Sequence, residues 1–511
     1  TIIIIGAGLA GLSAALQAAE NGCNVKLVSS LPSERAQSVM AEGGINAALN
    51  TKDENDSPEE HFTDTIKAAC GLADPNAVWG MTQAAPELVH WLLKLGVKFN
   101  MSGYDDVDLR NFGGQKKKRT AFAQSDTGKQ IMTAMIDAVR RKEASGMVER
   151  FSHHSFLTLR LCGNICCGCV IRDEYSQETV ELPGDAVIVA TGGMHGLFGN
   201  TTGSLSNTGE VTAELFRLGV PLANGEMIQY HPTTVKCGGK RMLISEAARG
   251  EGGRLFAMKD GKQWYFMEEK YPELGNLMPR DITAREIWKV SHESEVFLDM
   301  TEISEEIISN KLSGLADDCM TYLHKDIRKE PVSVLPGIHY FMGGILVDEQ
   351  HRTPIQNLCA AGECCAQYHG ANRLGGNSLL GALYGGRVAA KSACEQADVV
   401  DLSCATQIDF PPASQISEIK QLNKVMQETM GVVRNENTLL NGIQTVQALT
   451  GNLPLLGMAV LKSALARKES RGAHWREDYP KSNDDDYLKT TVARFDGKQI
   501  QISFVPVPER R

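Results

Sequence analysis

The glycines of residues 6–11, GAGLAG, have the spacing that lets a backbone approach a pyrophosphate closely. Four isoleucines precede them, and small or helix-forming residues follow at 12–18, so the order is strand, tight turn, helix. The N-terminus of that helix then lies beside the phosphates, where its unpaired N–H groups and positive dipole favour negative charge. The sequence therefore predicts a dinucleotide-binding βαβ unit.

Other segments resemble parts of the same kind of domain. Residues 24–29 form a second predicted strand, which ends in Ser29 instead of the acidic residue that usually holds a ribose hydroxyl. A glycine-rich stretch at 42–48 and a strand at 185–190 followed by Thr-Gly-Gly can both bring backbone close to a cofactor. The same character returns at 359–378, after a polar middle region that we interpret as an inserted domain.

Length and charge limit the class of protein. The chain has 511 residues and a formal net charge of -10, so it can hold two or three domains and does not suit a nucleic-acid surface. The basic run at 116–119 is predicted to be a solvated loop. No run of 18 apolar residues occurs, so no membrane span is expected, and a signal peptide before the first strand is not expected either.

Thirteen cysteines form no regular disulfide framework, which favours a reducing compartment and hence the cytoplasm. The cluster of Cys162, Cys166, Cys167 and Cys169 could suggest a metal or iron-sulfur site. However, residues 156–171 have the pattern of two paired strands, in which adjacent cysteines point to opposite faces. We therefore predict a structural role for these cysteines and no metal site.

The C-terminal region is predicted to be helical. Ser414 is a plausible N-cap for a helix with apolar residues on one face from 416 to 426, and a second helix is expected near 455–468. A polar tail is expected to follow.

Ordered motifs give the chain a family resemblance. They occupy residues 6–11, 41–48, 229–233, 246–253, 279–281, 339–344 and 369–374. With them the chain resembles, over nearly its whole length, the flavoprotein subunits of succinate dehydrogenase and fumarate reductase, with L-aspartate oxidase as a close relative. The resemblance implies an α/β fold with a Rossmann-like FAD-binding domain, an inserted α+β capping domain and a C-terminal helical domain. The expected boundaries are 1–226 and 339–396 for the FAD-binding domain, 227–338 for the capping domain, and 410–511 for the helical domain with its tail.

The resemblance also implies which residues contact FAD. They are Gly6, Ala7, Gly8, Ala10, Gly11, Ser29, Gln37, Ser38, Ala41, Gly43, Gly44, Ala190, Thr191, Gly192, Glu210, Glu363, Arg373, Ser378 and Leu379.

The implied reaction reduces a conjugated C=C bond in a dicarboxylate, fumarate, to give succinate, or runs in reverse. Flavin N5 supplies the hydride and Arg280 the proton, with Glu246 and Arg249 as the pair that delivers protons to Arg280. An arginine fork fits a carboxylate, so cationic and hydrogen-bonding groups are expected at both ends of the substrate. The expected substrate-binding residues are His231, Ser245, His339, Arg373 and Phe112. His292 and His351 lie outside every motif and are predicted to lie at the surface.

One departure from the family concerns the flavin link. Membrane-associated members carry a histidine that bonds covalently to the flavin, and the matching position here is Gln37. An amide cannot make that bond, so FAD is expected to be noncovalent. In the family the link raises the flavin potential, so its loss should favour fumarate reduction over succinate oxidation.

L-aspartate oxidase, which also lacks the link, is an alternative. That enzyme has an acidic residue near its substrate where this chain has Phe112, and residues 470–480 resemble the succinate/fumarate branch. A non-catalytic FAD-binding electron-transfer subunit is a further alternative. The presence of the expected catalytic and substrate-binding residues argues against it.

The expected partners follow from the same resemblance. The chain has no convincing haem or iron-sulfur motif of its own, so an iron-sulfur subunit is expected to deliver electrons, unless a small diffusible donor does. No nucleic-acid partner and no direct membrane span are expected. The expected location is cytoplasmic, with attachment to the inner face of the membrane through partner subunits as a second option.

Overall fold

A computed structural model describes residues 1–395, 405, 407, 408, 410 and 415–511. The predicted N-cap, Ser414, lies outside the described residues.

The strands of the described chain are numbered in chain order. They are β1 (Ile2–Ile5), β2 (Val25–Ser29), β3 (Ile45–Asn46), β4 (Leu109–Arg110), β5 (Thr120–Ala121), β6 (Val148–Ser152), β7 (His154–Cys162), β8 (Ile165–Asp173), β9 (Thr179–Pro183), β10 (Ala186–Val189), β11 (Leu222–Ala223), β12 (Ile228–Cys237), β13 (Lys240–Leu243), β14 (Arg254–Lys259), β15 (Lys262–Trp264), β16 (Val296–Asp299), β17 (Val332–Ser333), β18 (Leu335–Phe341), β19 (Gly344–Leu346), β20 (Leu358–Ala360), β21 (Cys365–Ala366), β22 (Lys489–Phe495) and β23 (Ile500–Pro506).

The α-helices are numbered in the same way. They are α1 (Leu9–Glu20), α2 (Pro58–Ala68), α3 (Pro75–Lys94), α4 (Thr127–Ala144), α5 (Glu210–Arg217), α6 (Glu246–Gly250), α7 (Phe266–Lys270), α8 (Arg280–Val290), α9 (Glu305–Lys311), α10 (Ser313–Asp318), α11 (Asn377–Glu395), α12 (Ile416–Thr429), α13 (Glu436–Val446), α14 (Asn452–Ala466) and α15 (Asp484–Tyr487).

A parallel five-stranded sheet in the order β20-β10-β1-β2-β6 forms the centre of the FAD-binding region. Its middle strand, β1, is buried on both faces, which explains four successive isoleucines. Ile2 and Ile4 pack with α1, α3, α4 and α11, whereas Ile3 and Ile5 face the antiparallel β7-β8-β9 sheet. The predicted opening βαβ unit is confirmed.

The inserted region contains two antiparallel sheets. The order β13-β12-β18 begins and ends the insertion, and β15-β14-β16-β17 packs with α7 to α10 around a separate apolar core. Strand β18 crosses the expected boundary between residues 338 and 339, because one continuous strand serves both regions. The domain boundaries stay predictions.

The C-terminal helices α12, α13 and α14 share one core with Phe198 and Phe341. Helix α12 is capped by Gln415, whose side chain forms a capping box with that of Glu418. Leu422 and Met426 are buried, whereas Ile416 is exposed.

The expected polar tail is wrong for residues 489–506, which form the hairpin β22–β23 and extend the sheet that contains β11 and β19. Within the described residues, no helix combines the length and apolarity that crossing a bilayer requires.

The basic run at 116–119 is only partly a solvated loop. The Arg119 side chain is fully buried, and its guanidinium lies 2.8 Å from Asp56 Oδ1 and 2.9 Å from Asp64 Oδ2. Because two carboxylates compensate the buried charge, Arg119 joins the segment to α2. The prediction was wrong at this residue since its partners are more than fifty positions away in sequence.

Candidate active site

A cavity of about 660 Å³ opens where the parallel strands end. Ile5 and Gly6 at the end of β1, Ser29 at the end of β2 and Ala190 after β10 line it. Ligands of open α/β sheets bind outside the carboxyl ends of the strands, so the position agrees with the predicted nucleotide site.

All the FAD-binding residues predicted from the sequence line this cavity except Gly11. Gly11 lies behind it, where a Cβ atom would come within 1.8 Å of the Gly6 carbonyl oxygen. Gly6 itself has φ +111°, and a Cβ there would meet the Ala190 carbonyl at 2.2 Å. Both positions therefore require glycine for the turn to pack against strand and helix.

The chain fits a dinucleotide here. The N-cap of α1 is Gly8, which has no side chain to cover the helix terminus, while Ser38 Oγ accepts a hydrogen bond from Leu9 N at 3.2 Å. The buried polar atoms Ser29 Oγ and Asn207 Nδ2 have no partner among the described residues, and both residues line the cavity. These groups suit a ligand that carries phosphates and hydroxyls.

Replacing Gly11 by alanine should weaken FAD binding by about 5- to 150-fold, because an overpacked Cβ against backbone costs about 1–3 kcal/mol and every 1.4 kcal/mol is tenfold in affinity. FAD affinity of the apoprotein, titrated by quenching of flavin fluorescence, measures the change. Gly239→Ala is the matched control, since a Cβ at Gly239 meets nothing within 4 Å. Equal affinity in the two variants would contradict the close contact between Gly11 and Gly6.

Arg280 lies at the start of α8 and is held by a carboxylate and an amide. Its Nε and Nη2 donate to Glu246 Oε2 at 2.8 and 2.5 Å, and Nη1 donates to Gln229 Oε1 at 3.1 Å. Only about 7 % of the side chain is exposed, yet it lines the cavity. The guanidinium is therefore fixed in orientation beside the space that a ligand would fill.

Glu246 connects Arg280 to Arg249. Glu246 Oε1 accepts from Gly113 N at 3.0 Å and lies 3.5 Å from Arg249 Nη2, and neither side chain is more than 1 % exposed. Burial alone would raise the pKa of Glu246, but the charges of Arg280 and Arg249 hold it below its ordinary value. Burial, together with the charge of Arg280, lowers the pKa of Arg249. The carboxylate is thus an ionised bridge between two guanidinium groups.

His231 on β12 and His339 on β18 are neighbours, with ring centroids 5.1 Å apart. Burial, reinforced by the positive charge of Arg280, lowers the pKa of both well below the usual value, so both imidazoles are neutral near pH 7. His339 Nδ1 is hydrogen-bonded to Thr202 Oγ1 at 2.8 Å, which leaves Nε2 for a ligand. His231 Nε2 is buried without a hydrogen-bond partner among the described residues.

Arg373 completes the cationic part of the site. Its guanidinium lies 4.4 Å from the centre of the Tyr340 ring, and burial, followed by the nearby charge of Arg280, lowers its pKa to about 9. Its Nε is buried without a hydrogen-bond partner among the described residues. An anionic ligand beside these two arginines would relieve their mutual repulsion.

The structure divides the predicted catalytic and substrate residues into two groups. Arg280, His339, Arg373 and Phe112 line the cavity. Behind its surface lie His231, Ser245, Glu246 and Arg249, all buried. Ser245 is the N-cap of α6, where its hydroxyl accepts from Ala247 N at 3.4 Å.

Two supporting residues were not identified from the sequence. Gln229 lies within one of the family motifs, contacts Arg280 and also donates to the Arg373 carbonyl at 2.9 Å. Thr202 orients His339.

The prediction that His351 lies at the surface was wrong. It is fully buried, and its ring bonds the Ala360 carbonyl at 2.7 Å and the Tyr368 hydroxyl at 2.5 Å.

The cysteine cluster is located on the β7–β8 hairpin. Cys162 is disulfide-bonded, and Cys166, Cys167 and Cys169 are buried free thiols. Among the described residues, no group of three or more His, Cys, Asp or Glu side chains is arranged to hold a metal ion.

Comparisons with known proteins agree with this geometry. An FAD binding domain matches residues 1–379, and the fumarate reductase flavoprotein C-terminal domain matches residues 449–510. The chain is 38% identical to the succinate dehydrogenase flavoprotein subunit of Bacillus subtilis, with 100% of this chain and 98% of that protein covered. The chain belongs to the succinate dehydrogenase/fumarate reductase flavoprotein family.

Other relatives support the same assignment. The 8-methylmenaquinol:fumarate reductase flavoprotein subunit of Wolinella succinogenes is 32% identical, covering 100% of this chain and 92% of that protein. The FrdA chain of Escherichia coli quinol fumarate reductase has a TM-score of 0.90 at 28% identity, covering 99% of this chain and 96% of that chain. The predicted fold class and family are therefore confirmed, and this flavoprotein is an FAD-dependent oxidoreductase.

Proposed function

We propose that this flavoprotein is a fumarate reductase subunit in which Arg280 delivers the proton. When bound, FAD supplies the hydride from N5. The observation that carries the proposal is the position of the Arg280 guanidinium. It lines the cavity and donates two N–H groups to the buried Glu246 carboxylate. A proton donor must be fixed within reach of the reacting carbon, and this contact fixes it.

The buried row of Arg249, Glu246 and Arg280 supports a proton relay. Arginine is ordinarily cationic, so it can act as an acid only if the proton that it gives up is replaced at once. Glu246 bonds Arg280 directly and lies 3.5 Å from Arg249. We propose that protons pass along this row to Arg280, which donates one to the substrate carbon opposite the one that accepts hydride.

The remaining polar groups would bind the two carboxylates. Arg373 offers a planar fork. Neutral His231 and His339 can each donate Nε2–H in the tautomer whose Nδ1 accepts, from Thr233 N and Thr202 Oγ1 respectively. We assign Ser245 to the same role, since its hydroxyl lies at the start of α6 beside Glu246.

Phe112 is 1% exposed and lies within contact of Gly43, so its ring would cover the apolar part of the substrate.

Phe112 also argues against L-aspartate as the substrate. A phenyl ring cannot pair with the ammonium group of an amino acid, and this ring lines the cavity. A purely electron-transferring role would leave the buried relay without a purpose, so neither alternative is favoured.

We propose that FAD is held noncovalently. Gln37 lines the cavity, and its amide oxygen accepts a hydrogen bond from Ser204 N. Acid precipitation of the FAD-loaded protein should therefore leave a colourless pellet and a yellow supernatant. Mass spectrometry of the denatured chain should give the mass of the polypeptide alone. A pellet that stays yellow, with a chain heavier by one FAD, would overturn the proposal.

We propose an iron-sulfur subunit as the electron donor, and attachment to the inner face of the membrane through such partners. The relatives named above as flavoprotein subunits support a multi-subunit assembly.

The reaction can be tested without that partner. Anaerobic oxidation of a reduced viologen by the FAD-loaded chain, with fumarate as the sole acceptor, should proceed at a rate that depends on fumarate. Aspartate with oxygen as acceptor serves as the comparison. Turnover of aspartate without turnover of fumarate would contradict the proposed function.

A further inference from the structure

Helices α1 and α11 lie side by side and run in the same direction. Ser13 Oγ donates to the Leu383 carbonyl at 2.6 Å. Further along both helices, Glu20 lies 3.9 Å from Arg387. On α11 Gly386 lies between Leu383 and Arg387, and a Cβ there would come within 2.3 Å of the Ala10 carbonyl oxygen. The two helices are therefore packed closely enough for their backbones to touch.

Both helices begin at the FAD cavity. Leu9 and Ala10 of α1 line it, as do Ser378 and Leu379 of α11. The first helix belongs to the N-terminal part of the sequence and the second lies more than 350 residues later. Separation of α1 from α11 would thus open one wall of the cofactor cavity.

Two thiols meet at the other end of this helix pair. Cys23 Sγ lies 2.7 Å from Cys394 Sγ, and both cysteines are free and half-buried. A disulfide bond is about 2.05 Å long, so the sulfurs need only a small shift to bond. Partial exposure leaves the pair open to a small oxidant.

We propose that Cys23 and Cys394 form a redox-dependent disulfide that clamps α1 to α11 and slows the loss of FAD. The oxidant is a hydroperoxide. Such a bond would join the two sequence pieces of the FAD-binding region at the end of the helix pair away from the cavity, where it leaves the reacting groups unchanged.

The chemistry balances in two steps. The Cys23 sulfur attacks a peroxide oxygen, the O–O bond breaks, and Cys23 becomes a sulfenic acid as one water leaves. The Cys394 sulfur then attacks the Cys23 sulfur, the S–O bond breaks, and a second water leaves. Two thiols lose two electrons and two protons in total, and one hydrogen peroxide becomes two waters.

Burial and the neighbouring Cys23 raise the pKa of Cys394 to about 12. Because a thiolate is the attacking form, a raised pKa slows the attack of Cys394 on peroxide. Cys394 is accordingly assigned the second step, in which its close position compensates for low reactivity.

The test uses the FAD-loaded full chain treated with hydrogen peroxide. Non-reducing peptide mass spectrometry should find one peptide pair joined through Cys23 and Cys394, lighter by two hydrogens and separated by dithiothreitol. FAD release, followed by recovery of flavin fluorescence on dilution, should be at least about threefold slower after oxidation, because the clamp restricts local opening. Dithiothreitol should restore the original rate.

Variants separate this effect from general oxidation. Cys23→Ser and Cys394→Ser should each lose both the joined peptide and the slower release, while their FAD content before oxidation reports correct folding. Cys70→Ser is the matched control, since Cys70 is also a half-buried free thiol but donates to the Ala68 carbonyl, and it should behave as the parent. Separate, dithiothreitol-resistant oxidation of Cys23 and Cys394 would overturn the disulfide. A joined pair with unchanged FAD release would overturn the clamp.

Discussion

Arg280→Lys should lower fumarate-dependent viologen oxidation by about 10³-fold while FAD stays bound, because a positioned acid contributes about 10²–10⁴-fold. Lysine keeps the charge but not the planar fork. It cannot donate to Glu246 through two N–H groups and to Gln229 through a third at the same time. Its ammonium would therefore be displaced from the position beside the cavity and from the proposed relay.

The control for this variant lies five residues further along the same helix. Arg285 is also mostly buried and packs on Trp475, but its contacts are with Asp281 and the Gly472 carbonyl, away from Glu246. Arg285→Lys should keep turnover within about threefold of the parent, as expected for a change that leaves the reacting groups in place. Equal FAD absorbance in both variants shows that each is folded. Full activity of Arg280→Lys would exclude Arg280 as the proton donor.

The parts of the molecule that local chemistry determines could be predicted from the sequence. The GAGLAG turn needs glycine at Gly6 and Gly11 because backbone atoms fill the space of a Cβ, and neighbouring residues already indicate the strand and helix. The other FAD-binding residues were implied by the family resemblance and not by local spacing, and all of them except Gly11 line one cavity.

Residues whose partners are distant in sequence could not be placed. Nothing near Arg119 indicates that it is buried with Asp56 and Asp64, and nothing near His351 indicates the Tyr368 hydroxyl. The role of Gln229 depends on Arg280, fifty-one residues later. Burial of polar side chains is decided by tertiary packing, which a local pattern does not contain.

The hairpin β22–β23 is a different case, because its signal was present. Ile500, Ile502 and Phe504 alternate with Gln501 and Ser503, which is the period of a strand with one exposed face. The polar positions of that pattern, considered alone, favour the polar tail that the sequence analysis predicts. The exposed positions follow from the place of β23 at the edge of its sheet.

The same C-terminal region contains a chain of buried charges that should dominate its stability. Glu226 Oε1 accepts from Arg467 Nε at 2.7 Å, and Glu469 Oε1 accepts from Arg467 Nη1 at 2.7 Å and from Arg471 Nε at 2.8 Å. The Glu226, Arg467 and Glu469 side chains are all fully buried. Glu469 Oε2 also accepts from Asn483 N at 2.8 Å, so this carboxylate joins α14 to the segment before α15.

Glu469→Ala should lower the free energy of unfolding by about 3–5 kcal/mol, because it leaves buried arginine charge without its partner. The loss is measured as a shift of the urea unfolding midpoint of the FAD-loaded protein. Glu477→Ala, at an exposed glutamate whose carboxylate accepts from Asn435 Nδ2, should change stability by less than about 1 kcal/mol. A Glu469→Ala protein as stable as Glu477→Ala would mean that water or rearranged carbonyls replace the carboxylate. Arg467 already donates to the carbonyls of Tyr487 and Lys489. Arg471 would also need a new acceptor in place of the lost Glu469 carboxylate. The large loss is therefore the expected outcome.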